Sequence, residues 1–366
     1  MTRLRLGFIP LNDAAAMIVA HARGFFAAEG LEVELVREVS WATMRDKVGV
    51  GALDGAHMLA PAALAITLGV SGIGATPLVA PLALSLEGPA ITLSARLAAA
   101  LGPGPGAEGL ARLLAWRREE GASPITLAVV FPFSTHNYLL RDWLARAGVD
   151  PDRDVRMTVA PPSRMTELLA GGVVEGFCVT EPWASVAVTA GAGLIAARAG
   201  QLWPRAPDKV FAVAEAWAHA RPDVLQALLR ALLRAAAWTE AEENRQELVA
   251  ILARPEHVGA DPQVIARSLG DIVFHAGGAN RPQPAHAAWL AAQMMRWGHI
   301  PVEVDIAALA RRVYRPDLYA PAAAALGLAE APELTVLSGY APDGDFRPED
   351  ARRHAAAAAM SRVPVA

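Results

Sequence analysis

The sequence predicts an α/β protein of two lobes with a ligand cleft between them and a helical C-terminal part. Strand patterns alternate with helical patterns in two separate blocks, and such alternation is typical of mainly parallel sheets with helices on both faces. From about Val210 onward the patterns are strongly helical. We therefore assign residues 1–92 and 208–366 to lobe 1, and residues 93–207, inserted into it, to lobe 2.

In the first block, strand and helix patterns alternate from the first residues onward. A strand is predicted over "RLRLGFIP", a helix over "AAAMIVAHARGFFAAEG" ending near Gly30, a strand over "LEVELV", a helix capped by Ser40 and a buried strand over "GAHML". Residues 58–86 carry no charge and are long enough to span a membrane. Pro61, Pro77 and Pro81 divide them, which favours interior strands and short helices.

The second block repeats the alternation. Strands are predicted over "ITLAVVF", "VRMTVA" and "GFCVT", with helices over residues 137–147 and "SRMTELLAGG". Ser134 or Thr135 is the predicted N-cap of the first of these helices. The stretch "LGPGPGAEG" has the composition of a connector and is predicted to join the two blocks.

Composition narrows the functional classes. Apolar residues make up 54% of the 366 and charged residues 19%, as in a globular protein. The net charge of −4, without a Lys/Arg stripe, argues against direct nucleic-acid binding. Cys178 is the single cysteine, so an intrachain disulfide is excluded. The opening "MTRLRLGFIPLND" has no apolar signal-peptide core, so we expect a cytoplasmic protein without a membrane segment.

Enzyme motifs are weak or missing in the sequence. "GPGAEG" matches G-x-G-x-x-G but follows a helical stretch instead of a strand, and it contains Pro105. No G-x-S-x-G, Walker A, H-E-x-x-H or C-x-x-C occurs, and no pair among the nine histidines has metal-ligand spacing. We therefore predict no enzymatic activity, no cofactor and no metal.

Several polar or aromatic residues lie where predicted strands meet predicted helices, the usual place for ligands in open α/β sheets. Trp41 either offers its indole to a ligand or covers the core edge. His136 either donates to an anion beside helix N–H groups or is a surface residue of the capping region. Glu181 is a ligand, a helix cap or half of an ion pair. A lone lysine such as Lys209 is usually solvated, and His57 on an apolar strand is usually a core histidine.

Taken together, these stretches resemble a known family. "SWATMRDKV", "LDGAHMLAP", "GPAITL", "STHNYLLRDWLARAGVDPDRDV", "APPSRM", "GFCVTEPW", "PDKVFAV" and "RPQPAHAAWLAAQMMRWG" are similar, in order and over most of the chain, to the nitrate-binding proteins of the NrtA type. That family has the type II periplasmic-binding-protein fold.

In that family nitrate lies in the cleft between the lobes. The resemblance implies ligand contacts at Trp41, His136, Pro162, Val179 and Lys209. Lys209 would supply the positive charge, His136 and helix N-termini would add donors, and Trp41 would pack against or bond the planar anion. The proline and the valine would shape a small rigid pocket.

One position departs from the family. Where the family has "NGQAI", with a glutamine amide that contacts nitrate, this chain has "EGPAI" with Pro89. Proline has neither that amide nor a backbone N–H, and a lost donor to a buried anion costs about 1–3 kcal/mol. Lower affinity, another anion such as nitrite, or a substituting water are all compatible with Pro89. The bicarbonate-binding relatives have an acidic residue there and use calcium, and Pro89 does not match that pattern either.

Without a predicted export signal, the chain resembles the NasS-type cytoplasmic nitrate/nitrite sensors. These hold an antiterminator protein of the NasT type, with an RNA-binding ANTAR domain, until the anion releases it. The alternative is the substrate-binding component of an ABC-type nitrate transporter whose leader is missing. An enzyme like the thiamine-pyrimidine synthases of this fold would need a cysteine-rich motif, and Cys178 stands alone.

Overall fold

The computed structural model describes residues 2–72, 74–342 and 344–357. The strands are β1 Thr2–Phe8, β2 Leu31–Arg37, β3 Gly55–Leu59, β4 Leu78–Glu87, β5 Pro89–Ser94, β6 Thr126–Val129, β7 Arg156–Val159, β8 Gly176–Thr180, β9 Gly193–Arg198, β10 Pro207–Ala214, β11 Ile272–Val273, β12 Leu337–Ala341 and β13 Gly344–Phe346.

The α-helices follow the predicted alternation and then dominate the C-terminal part. They are α1 Ala15–Ala22, α2 Phe25–Ala28, α3 Trp41–Gly49, α4 Ala60–Leu68, α5 Ala95–Leu101, α6 Ala107–Glu119, α7 Thr135–Arg146, α8 Met165–Ala170, α9 Trp183–Thr189, α10 Ala199–Leu202, α11 Glu215–Ala220, α12 Pro222–Glu240, α13 Arg245–Leu252, α14 Pro262–Ser268, α15 Pro284–Arg296, α16 Ile306–Val313, α17 Pro316–Ala325 and α18 Ala351–Ala357.

Two sheets define two lobes. The sheet of lobe 1 has the order β11-β4-β10-β3-β1-β2, and the sheet of lobe 2 has the order β7-β6-β8-β5-β9. The prediction of mainly parallel sheets is wrong for part of each sheet. β1 pairs in parallel with β2 and β3, and β6 with β7 and β8, but β10 and β5 run antiparallel to both of their neighbours. β10 and β5 are the strands that follow a passage of the chain between the lobes.

The chain passes from the first sheet to the second at Gly88, four residues before the predicted boundary after residue 92, and returns between β9 and β10. Gly88 has φ of 94°, and a Cβ there would lie 2.9 Å from Thr180 Cγ2. Only glycine fits both conditions. The Pro/Gly-rich stretch after α5 joins α5 to α6 inside lobe 2, so it does not separate the lobes.

Local signals explain most of the elements. The Ser40 side chain accepts from Thr43 N at 3.1 Å, which confirms the predicted cap of α3. The single helix predicted to end near Gly30 is instead two, because Gly24 adopts φ of 72° and ends the first of them. The uncharged segment 58–86 forms α4 and β4, both almost wholly buried, and no described helix is long and apolar enough to cross a membrane.

The C-terminal segment packs on the lobes. Tyr340 of the β12–β13 hairpin stacks on Trp203 and meets Trp289 edge to face, with ring centroids 6.3 and 5.3 Å apart. α18 lies against α15. The last nine residues of the predicted lobe 1, 358–366, lie outside the described residues.

Candidate functional site

Seven polar or aromatic side chains meet where the lobes face each other, and all are almost completely buried. Lobe 1 provides five of them from the segment after β1, from α3, β3 and β10, and lobe 2 provides two from α7 and β8. They are Asp13, Trp41, His57, Asp208 and Lys209 of lobe 1, and His136 and Thr180 of lobe 2.

Lys209 lies at the centre of this cluster. Its Nζ is 2.7 Å from Asp13 Oδ2 and 2.6 Å from Asp208 Oδ2, and it donates more weakly to Thr180 Oγ1 at 3.3 Å. The same Nζ lies 5.6 Å from the centroid of the Trp41 ring. These contacts occupy the three N–H donors of the ammonium group, so its charge is already compensated by two carboxylates.

A second contact orients Asp13. His57 Nε2 is 2.9 Å from Asp13 Oδ1, and the rings of His57 and Trp41 have centroids 5.5 Å apart. His57 is therefore a buried core histidine, as is usual for a histidine on an apolar strand, but its partner is a carboxylate of the cluster. Asp13 thus joins Lys209 to β3.

A hydrogen-bonded chain crosses from lobe 1 to lobe 2. Thr180 Oγ1 lies 2.8 Å from Asp208 Oδ2 and 2.7 Å from His136 Nε2. The Ser134 side chain accepts from Asn137 N at 3.0 Å and thereby fixes the first turn of α7, which contains His136. The β8 strand supplies Thr180 as its last residue.

Burial and neighbouring charges set the protonation states. Burial raises the pKa of Asp208 to about 6, with Lys209 opposing the rise. Burial would also raise the pKa of Asp13, but Lys209 and His57 hold it well below its usual range. Burial would lower the pKa of Lys209, and its two carboxylate partners raise it instead. Burial, with the charge of Lys209, lowers the pKa of His136, and burial lowers that of His57. Both imidazoles are neutral near pH 7.

Several buried polar atoms of the cluster lack a hydrogen-bond partner among residues 2–72, 74–342 and 344–357. They are Trp41 Nε1, His57 Nδ1, His136 Nδ1 and Asp208 Oδ1. A buried polar atom without a partner is costly, and in native structures it commonly marks a place where a ligand or water binds. The cluster therefore has free hydrogen-bonding capacity at the lobe boundary.

The structure brings three of the sequence-predicted residues into this cluster and places the other three around it. Trp41, His136 and Lys209 are members. Pro89 begins β5 directly opposite Thr180, and Val179 precedes Thr180, so its side chain faces the other side of the strand. Pro162 begins a 3-10 helix after β7, at the edge of the second sheet.

Sequence reasoning missed Asp13, Thr180 and Asp208. Thr180 is the last residue of β8, Asp208 is the second residue of β10 and directly precedes Lys209, and Asp13 lies in a 3-10 helix five residues after β1 ends. Glu181 caps α9 by accepting from Ser185 N at 2.9 Å and pairs with Arg198 at 3.2 Å, as two of its three interpretations predicted.

A cavity of about 280 Å³ lies beside the passage between the lobes. Pro89 lines it together with Glu87, Arg198 and Asp271. Arg198 Nη1 is 2.5 Å from Asp271 Oδ2, an ion pair that joins lobe 2 to lobe 1. Within the described parts of the chain, no group of three or more His, Cys, Asp or Glu side chains could hold a metal ion.

Comparison with known proteins places the chain in a family. Residues 1–253 match the model of the NMT1-like family. The chain is 31% identical over 351 residues to the nitrate/nitrite binding protein NrtA of Nostoc sp., covering 90% of this chain and 78% of that protein. It is 37% identical over 341 residues to the nitrate import ATP-binding protein NrtC of Synechocystis sp., but spans only half of that protein's length.

A solved structure gives the same result. The crystal structure of the periplasmic nitrate-binding protein NrtA from Synechocystis superimposes with a TM-score of 0.91 at 30% identity, covering 98% of this chain and 99% of that one. This match confirms the predicted two-lobed periplasmic-binding-protein fold. The chain belongs to the NMT1-like family, and within it to the NrtA-like branch.

Proposed function

We propose that this chain binds nitrate or nitrite between its lobes and delivers it to an ABC-type import system. The buried cluster that joins Lys209 and Trp41 of lobe 1 to His136 of lobe 2 carries this proposal. The names of the related proteins, which include nitrate/nitrite binding and nitrate import, support the choice of anion. Binding and release, without catalysis, is the proposed activity.

The chemistry of the cluster suits a small planar oxyanion. Trp41 Nε1 is a buried N–H without a partner among the described residues, and a nitrate or nitrite oxygen would accept from it. Lys209 supplies a formal charge close by, since its Nζ lies 5.6 Å from the Trp41 ring. Because Lys209 also contacts Thr180, separation of the lobes would free one of its donors for the anion. The anion would then take part in holding the lobes together.

The direct test is thermal unfolding with added anions. Nitrate or nitrite at 100 times its Kd should stabilise the protein by about 2.7 kcal/mol, whereas sulfate should leave the melting temperature unchanged. Trp41→Phe removes the indole N–H and keeps a ring, so we expect a loss of affinity of about fivefold to a hundredfold. Trp116→Phe, at a residue that is 56% exposed, is the matched control. A melting temperature that stays unchanged with both nitrate and nitrite would refute the proposal.

We propose as the second candidate a cytoplasmic sensor of the NasS type, with an antiterminator partner that carries an ANTAR domain. The inter-lobe contacts of Lys209 with Thr180 and of Arg198 with Asp271 favour it, because they define a closed state that a partner protein could distinguish from an open one. Co-purification with such a partner, lost on addition of nitrate or nitrite, would support the sensor. Co-purification with a permease instead would support the importer.

A further inference from the structure

The chain Asp208–Thr180–His136 has a direction that depends on its number of protons. Its two links are 2.8 Å between Asp208 Oδ2 and Thr180 Oγ1, and 2.7 Å between Thr180 Oγ1 and His136 Nε2. Thr180 has one hydroxyl proton, so it donates along one link and accepts along the other. The protonation states of Asp208 and His136 decide along which link Thr180 donates.

When Asp208 is ionised, the chain has one allowed arrangement. Two oxygens 2.8 Å apart need a proton between them, so Thr180 donates to Asp208. Thr180 must then accept from His136, which places the proton of the neutral ring on Nε2. The other ring nitrogen, Nδ1, is left with a lone pair, and it is buried without a partner among the described residues. A lone pair at that position repels an anion.

One additional proton reverses both links. It binds at His136 Nδ1, the Nε2 proton passes to Thr180, and the Thr180 proton passes to Asp208 Oδ2. The chain then consists of a neutral carboxylic acid that donates to Thr180, a hydroxyl that donates to Nε2, and a neutral imidazole with its proton on Nδ1. If the added proton stays on the ring as an imidazolium, Nδ1 carries a proton all the same. In both cases His136 becomes a donor.

We propose that the anion binds together with one proton, which the Asp208–Thr180–His136 chain takes up, and that Asp208 thereby determines the affinity for the anion. The proposal rests on the function proposed above, in which His136 contacts the anion. Since Nε2 is already bonded to Thr180, Nδ1 is the ring nitrogen that remains for this contact. The proton also makes His136 a donor, whereas Pro89, which lies opposite Thr180, has no N–H to donate.

The charges around the chain favour this proton. Lys209 is balanced by Asp13 on one side and by Asp208 on the other, so an ionised Asp208 leaves the closed cluster with a net negative charge. A monoanion added to it would meet like charge in a dry site, which is unfavourable unless a proton enters as well. Burial raises the pKa of Asp208 to about 6, within reach of neutral pH.

The other titratable groups that face Asp208 keep one protonation state between pH 7 and 8.5. Burial raises the pKa of the Cys178 thiol on β8 and of the Tyr314 phenol before α17, and Asp208 adds to both shifts. Asp13 stays ionised and Lys209 stays charged, for the reasons given above. His57 on β3 is neutral, because burial lowers its pKa. The Asp208–Thr180–His136 chain is therefore the part of the cluster that changes its charge.

Calorimetric titration with nitrate from pH 6 to 8.5 tests the inference, because nitrate remains a monoanion throughout. Above pH 6 the affinity should fall about tenfold per pH unit, hence roughly a hundredfold between pH 6.5 and 8.5. Titrations at pH 8 in two buffers of different ionisation enthalpy should show the uptake of about one proton per nitrate. An affinity that changes less than twofold over this range, with no proton uptake, overturns the inference and leaves the proposed function intact.

Two variants test the role of the chain. Asp208→Asn places an amide N–H where the added proton would lie, so nitrate affinity at pH 8.5 should match that at pH 6.5. Asp223→Asn, at an exposed carboxylate on α12, should keep the full pH dependence of the unmodified protein. If Asp208→Asn does not fold, Asp208→Ala, which removes the ionisable carboxyl group, should likewise abolish the pH dependence. Retained pH dependence in a folded Asp208 variant overturns the inference. No nitrate binding by the unmodified protein at any pH overturns the proposed function with it.

Discussion

Replacing Lys209 tests whether the two carboxylates of the cluster are ionised and balanced by one ammonium. Lys209→Met keeps an unbranched side chain and removes the charge. It would leave Asp13 and Asp208 facing each other without a cation, and all three side chains are fully buried. Removing one partner of a buried ion pair leaves an uncompensated charge, which costs about 3–5 kcal/mol.

That loss is large compared with the total stability. A domain usually unfolds at a cost of about 5–15 kcal/mol, so Lys209→Met should remove a third or more of a typical value at pH 7. Without Lys209 the pKa of both carboxyl groups rises, and the folded variant then binds more protons than its unfolded chain. Its free energy of unfolding should therefore increase as the pH falls from 7 towards 5.

Urea denaturation followed by tryptophan fluorescence measures this loss. The double variant Lys209→Met with Asp208→Asn should be more stable than Lys209→Met alone, because one of the two uncompensated carboxylates is gone. Arg3→Met is the control: Arg3 pairs with Glu32, and the two side chains are 84% and 53% exposed, so less than about 1 kcal/mol should be lost. If Lys209→Met cost no more than Arg3→Met, the cluster would not be the charged network that the distances indicate.

Two further variants examine the residues around the cluster. Pro89→Gln restores the amide and the N–H that proline lacks opposite Thr180, so nitrate should bind about fivefold to a hundredfold more tightly by calorimetry; unchanged affinity would show that another donor has replaced the amide. Arg198→Ala removes the ion pairs to Glu181 and Asp271. Because Arg198 joins lobe 2 to Asp271 of lobe 1, the unliganded variant should show a larger radius of gyration by X-ray scattering. An unaltered radius would mean that this pair does not hold the lobes closed.

The sequence predicts the elements of this fold better than their pairing. Strands and helices such as β3 and α7 follow from local apolar patterns and caps, and the structure has them within two residues of the prediction. The antiparallel placement of β5 and β10 depends on where the chain passes between lobes. That passage occurs at Gly88, and its backbone conformation leaves no pattern in the neighbouring residues.

The candidate site was also predictable only in part, because single residues could be identified but their pairing could not. His136 and Lys209 stood out as polar residues next to strand ends, and Trp41 as an aromatic at a helix start. Their charge partners did not, since Asp13 meets Lys209 across 196 residues of sequence and a single sequence carries no sign of that pairing. The prediction that Lys209 supplies the positive charge for the anion did not include these partners: the charge of Lys209 is shared by two carboxylates.

This sharing changes what an anion must do in order to bind. At 4 Å and an effective dielectric constant of about 20, two like charges repel by about 4 kcal/mol, which is comparable to the gain from two or three good hydrogen bonds. An anion that enters the cluster beside Asp13 and Asp208 meets that repulsion unless one carboxylate becomes neutral. Asp208 is the carboxylate that can do so, because burial raises its pKa while Asp13 is held ionised by Lys209 and His57. Lobe closure, proton uptake and anion binding are then one coupled equilibrium, in which any of the three strengthens the other two.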